Sequence, residues 1–235
     1  MGFDVTFHPI SPKEMKDWYF TPLEWVKQGQ EEKVLALAAQ HGIEGFYAEK
    51  YLNTLRVGAK TEDSELFDKS HGFYIAVIQG FFRDYYYTRG SAFSFLVEQK
   101  PEYVRYFTPW AQVAPSAFPN PAENCIVENY CSGVYLSPAQ AAQLLQDLEQ
   151  NSRICGDFEE LWCNGQLDVL KKALAAAVKL GAGLLEATEV VEPNPISPNE
   201  SGSYSNLFHC DTDGVYLYID TAIKQLEAAM KERGE

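Results

Sequence analysis

The sequence predicts an α+β fold, mostly helical, with a central buried aromatic helix and a few short strands in a small sheet. Three observations lead there. Strong helix starts recur along the chain: Ser11-Pro12-Lys13-Glu14 and Ser137-Pro138-Ala139-Gln140 both spell a capping box with proline at the first helical position. Short stretches of strand character, such as Phe3 to His8, lie scattered between the helices. The longest nearly unbroken apolar and aromatic run, His71 to Glu98, sits near the middle. In it Phe73, Ala76, Val77, Phe81 and Tyr85 recur at helical spacing, and Ile75, Ile78, Phe82 and Tyr86 fill a second stripe. That pattern predicts a helix buried over most of its circumference and broken or kinked at Gly90.

Taken in order, the chain opens with a strand at Phe3 to His8, where Phe3, Val5 and Phe7 alternate with Asp4 and Thr6, ended by Pro9. Helices follow from Ser11, from Thr21-Pro22-Leu23-Glu24, from about Glu31 to Gln40 and from Gly45 to Val57. The last of these carries Phe46, Tyr47, Tyr51, Leu52 and Leu55 on its apolar side. After the central run, Pro101 to Phe107 adds a short helix. Pro109, Pro115, Pro119 and Pro121 then exclude a regular element from Thr108 to Asn124.

The second half predicts strands at Cys125 to Val127, Gly133 to Leu136, Leu184 to Val191 and Val215 to Ile219. Its helices run from Ser137 to Glu149, from Leu167 to Leu180 with Gly181 and Gly183 as the stop, and from Thr221 to Arg233. Ile223, Leu226, Ala229 and Met230 share one face of that last helix. Glu192 to Ser205 reads as a polar loop. The expectation is one domain over residues 1–235, with an aromatic-rich helical lobe (1–108) and an α+β lobe (125–235) joined by the proline-rich loop 109–124.

With 235 residues, 46% of them hydrophobic and 14% aromatic, the chain can bury a sizeable core despite a net charge of −14. That charge excludes nucleic acid and an anionic membrane surface as partners and suits a basic protein partner. No run reaches membrane-spanning length and no leader pattern opens the chain, which points to the cytoplasm. Gly2 and Thr6 match a myristoylation pattern formally, but the strand periodicity around them reads against it. The five cysteines, Cys125, Cys131, Cys155, Cys163 and Cys210, are odd in number and irregularly spaced, as expected of reduced thiols.

No P-loop, GxSxG elbow, dinucleotide fingerprint or HExxH is present, and no cofactor is implied. His209-Cys210-Asp211 has the residue types of a thiol nucleophile set, yet sequence neighbours on a strand point to opposite faces, so it reads as a polar turn. Asp211-Thr212-Asp213-Gly214 begins like a calcium loop but lacks the later ligands. A divalent metal would need His8 and His209 to meet through pairing of the first and last strands, with Asp211 as a third ligand; no metal is expected otherwise.

The remaining candidates are Arg83, Tyr86, Tyr87 and Arg89, expected either to line a pocket for an anionic or aromatic ligand or to anchor the core through hydrogen bonds. Two functional expectations follow. The first is a protein-binding protein, comparable to bacterial toxin-neutralising immunity proteins, that occludes a basic partner and performs no catalysis. The alternative is a small-molecule enzyme or sensor with a pocket lined by those arginines and tyrosines. A subunit of a larger assembly would instead show an exposed apolar patch.

Overall fold

The computed structural model describes residues 3–118, 121, 124–194 and 197–233. Gly2 of the acylation pattern, Pro119 of the proline-rich loop and residues 195–196 of the polar loop lie outside them, as do the side chains of Leu226 and Ala229.

The architecture follows from strand β1 (Phe3–Ile10), whose two faces are both buried. Successive side chains of a strand point to opposite sides. Val5 and Phe7 enter one apolar cluster with Val134, Leu136 and Leu184, while Ile10 enters another with Tyr135, Leu185 and Ala187. A sheet apolar on both faces needs a layer of helices on each. Helices α1 (Pro12–Met15), α2 (Thr21–Lys27), α3 (Glu31–Gln40), α4 (Phe46–Lys60) and α5 (His71–Phe82) fill the first layer. On the other side lie α6 (Phe93–Gln99), α7 (Pro138–Gln150), α8 (Ser152–Glu159) and α9 (Gln166–Leu180).

The sheet between them has the order β3 (Ser132–Leu136), β4 (Gly183–Thr188), β1, β2 (Tyr85–Gly90) and β7 (Cys210–Asp211). All neighbours are antiparallel except β2 and β7. Strands from both sides of the proline-rich stretch thus pair in one sheet. A two-stranded ribbon of β5 (Val191–Glu192) and β6 (Gly202–Ser203) sits beside it, and α10 (Asp213–Arg233) closes the chain. No helix among the described residues is long and apolar enough to cross a membrane.

Both capping boxes form: Ser11 accepts from the Glu14 amide and Ser137 from the Gln140 amide, and each partner side chain returns the bond. Gly181, at φ 64°, ends α9 in the left-handed conformation that glycine adopts without strain. A π-helical turn, Lys16–Phe20, joins α1 to α2.

Four elements differ from expectation. The central helix stops at Phe82, and residues 85–90 are a strand, so Tyr86 and Tyr87 point to opposite faces of the sheet. Arg83 is already fully extended (φ −163°, ψ 174°), and the Tyr-Tyr-Tyr-Thr run that follows suits a pleated surface as well as a helix. Residues 215–219 are helical within α10, because Val215 and Tyr218, three apart, pack together on Tyr85, Tyr87 and Val191. The stretch 125–127 is irregular, and β4 ends at Thr188 because Glu189 takes a left-handed conformation (φ 58°).

Candidate functional site

The four candidate side chains of the 83–89 stretch make interior contacts. Arg83 lies over the Trp18 ring, 4.8 Å from its centroid, and pairs with Glu14, the same carboxylate that completes the first capping box. Tyr86 packs against the second core cluster, its backbone in register with Asp211. The Tyr87 hydroxyl donates to Asp4 Oδ1 at 2.7 Å. Arg89, directly across from Asp4 in the ladder, pairs with the same carboxylate and stacks on Tyr218 with 4.6 Å to the ring centroid. Burial first, and then the Asp4 charge, pushes the Tyr87 hydroxyl well above its usual range.

This makes a polar row from the residue after β4, Glu189, across β1 to β2. The Asp4 amide donates to Glu189 Oε1 at 3.3 Å, and the Glu189 amide donates to the Asp4 carbonyl at 2.7 Å. Burial, with the Asp4 charge second, pushes the Glu189 carboxyl up to about 7. None of the four candidates borders the grooves that open beside Trp25, beside Lys69 and Tyr130, or beside Leu217.

The possible metal set is not assembled. Strand β2 lies between β1 and β7, so the first and last strands of the sheet do not pair. His8 is fully buried under α5 and stacks on Tyr85. The Gln79 amide nitrogen donates to the Pro9 and Asp84 carbonyls, which turns its Oε1 toward His8 Nδ1 at 2.7 Å. His8 therefore carries its proton on Nδ1, and Nε2 accepts from the Thr6 hydroxyl at 2.8 Å. Burial, opposed by the Gln79 bond, pulls the imidazole down to about 4. His209 Nδ1 donates to the Gly80 carbonyl, and Asp211 holds Lys172 at 2.6 Å. Among the described residues no group of three or more His, Cys, Asp or Glu is placed to hold a metal ion.

Glu186 is a fully buried carboxyl on β4. Burial pushes it up to about 7 against the backbone N–H groups of Phe93, Val134 and Ser94. Its Oε1 accepts from Phe93 at 2.7 Å, so this side chain caps the start of α6 from the sheet. That is an anchoring role within the fold.

The surface has a different character. Phe208 is 86% exposed and Phe46 is 69% exposed, and Tyr47 lies between them with ring centroids 6.3 and 5.4 Å away. Four residues before Phe208, Tyr204 (50% exposed) stands edge-on to Tyr130 (41% exposed) at 5.8 Å, with Phe73 beneath both. Lys50 ties the two groups together: its ammonium lies over Phe46 and donates to the Ser203 carbonyl at 2.5 Å. The aromatics come from the start of α4, from Tyr130 at a left-handed turn (φ 60°) and from the Tyr204–Phe208 segment. Exposed carboxylates lie close by at Glu44, two residues before Phe46, and at Glu192, which accepts from the Tyr130 hydroxyl at 2.9 Å, while Glu49 is paired with Arg56 at 2.8 Å.

Sequence reasoning placed Phe46 on the inner side of α4, beside Tyr51, Leu52 and Leu55, which are indeed buried. Phe46 is the first residue of that helix, ahead of the turn that packs, and this leaves it outside. Phe208 had one signal, an aromatic residue inside a polar turn, and nothing in the sequence brought it to Phe46.

The chain matches no protein-family model, no curated protein and no solved structure.

Proposed function

We propose that this chain is a protein-binding protein whose partner is basic, and that it acts by occlusion, as toxin-neutralising immunity proteins do. The observation that carries this reading is the aromatic surface of Phe46, Tyr204, Tyr130 and Phe208 around the half-buried Tyr47, with the exposed carboxylates Glu44 and Glu192 close to them in the chain or in contact. Scattered apolar residues on a surface need no explanation, but a group of large aromatics in which Phe46, Tyr204 and Phe208 are exposed by half or more is characteristic of recognition patches. Aromatic side chains supply the anchors of such interfaces, and a charged rim steers the encounter. The net charge of −14 gives that steering its sign. The polar candidates Arg83, Tyr87 and Arg89 are engaged by the protein's own carboxylates, Glu14 and Asp4, and border none of the three grooves described above.

The test is affinity capture from the native host with the full chain as bait, run beside the Phe46→Ala/Phe208→Ala variant. Both side chains are exposed, so the double variant keeps its fold, as circular dichroism would verify. The expected result is a basic protein retained at low salt, released by about 0.3 M NaCl, and bound at least 100-fold more weakly by the variant, as loss of two anchors implies. Co-expression with the chain should then suppress that partner's activity. Equal retention by the variant, or an acidic partner indifferent to salt, would count against the proposal.

A further inference from the structure

A groove of about 690 Å³ opens between the first helical segment and the loop after Trp110, well within the size range of small-molecule sites. Its floor and walls are apolar: Phe20, Trp25, Val113 and Phe118, with Pro12 and Pro115 at the margins. Phe20 and Phe118 stand 5.3 Å apart by ring centroid, which keeps this surface continuous. The charge around it reverses the sign of the molecule. Lys16 and Lys33 both line the groove, and Lys16 has no ion-pair partner among the described residues. Lys33 donates to the neutral Gln30 side chain at 2.6 Å and lies 5.9 Å from the centre of the Trp25 ring, so its charge is not neutralised either. The one carboxylate in the lining, Glu24, is already paired with Lys27 at 3.1 Å.

The geometry points to a binding site for a small amphiphilic anion, a single-chain carboxylate whose hydrocarbon lies on Phe20, Trp25 and Phe118 while its head meets Lys16 and Lys33. Apolar burial holds the tail, and the two ammonium groups select the charged head over a neutral one. An acidic chain repels anions at long range, so two unneutralised lysines on an apolar groove define the part of this lining where such a head is favoured.

Trp25 makes the site readable. The other three of the four tryptophans, Trp18, Trp110 and Trp162, are buried, so a ligand in the groove changes emission through Trp25. The experiment is titration of the full chain with dodecanoate below its micellar concentration, followed by tryptophan emission and calorimetry, with 1-dodecanol as the uncharged control. The expected result is saturable one-to-one binding of dodecanoate, with dodecanol at least about tenfold weaker. The Lys16→Gln/Lys33→Gln variant should bind dodecanoate about tenfold more weakly and dodecanol unchanged. Both lysines are exposed, so that variant tests the head-group contact without touching the core. Ala117→Trp, placed in the lining, should block both ligands. Non-saturating binding, equal affinity for acid and alcohol, or a lysine variant that binds like the parent would each overturn the assignment.

Discussion

Gln79 shows how much of this interior depends on single polar side chains. A central strand buried on both faces carries Thr6 and His8 with no access to water, and each must find its hydrogen bonds inside. Gln79 accepts one of them, from His8, and the same amide donates to the Pro9 and Asp84 carbonyls, three bonds in all. Replacing it with leucine keeps the volume and removes all three. His8 can then shift its proton to Nε2 and donate to Thr6, whose hydroxyl has the Ala187 carbonyl at 3.3 Å as an outlet. The Pro9 and Asp84 carbonyls lose their side-chain donor at the same time. Gln79→Leu should therefore cost about 2–3 kcal/mol, measured by urea unfolding, with an unchanged m-value. A loss below ~0.5 kcal/mol would mean that the network is dispensable. None of this was legible in the sequence: His8 and Gln79 are 71 residues apart, and a histidine near a strand end reads as an ordinary surface residue. The same holds for Asp4, whose partners Tyr87 and Arg89 reach it only through strand pairing.

At the scale of elements, what was legible is what is local. The boxes at Ser11 and Ser137 and the stop at Gly181 are decided within four residues of chain, and the structure has each of them. Tyr85–Gly90 and 215–219 were not legible, because runs of tyrosine, valine and isoleucine satisfy either periodicity over so short a span. Tertiary packing decides them. Strand β2 is drawn into the sheet by its ladder with β1, and α10 is set helical by the contact of its first turns with β2. Gly214 is the hinge of that contact, since a Cβ there would collide with the Tyr87 carbonyl oxygen. Gly214→Ala should lift the start of α10 off the sheet, break the stacking of Tyr218 on Arg89 and destabilise the fold by about 2 kcal/mol. Hydrogen exchange would show faster exchange of amides 213–221, with α7 and α9 protected as before. Unchanged protection there would show that the backbone absorbs the methyl group locally.

For the whole molecule, composition bounded the answer and the arrangement of the surface refined it. A charge of −14 on 235 residues was evident at once, but the aromatic surface proposed above as the partner-binding face is assembled from three distant segments. The two features respond to salt in opposite directions. Like charges spread over one compact chain repel, so screening them favours the folded state. Attraction between an acidic rim and a basic partner is weakened by the same screening. Raising NaCl from about 0.02 to 0.2 M at pH 7, across which the Debye length falls severalfold, should therefore raise the urea midpoint of the free protein while lowering its affinity for the proposed basic partner. Near pH 4.7, where the sequence charge balances, the midpoint should cease to depend on salt. A midpoint that falls with salt at pH 7 would show that the ion pairs, Arg56 with Glu31 and Lys100 with Asp157 among them, outweigh the net repulsion. The acidic surface would then be serving the fold rather than a partner.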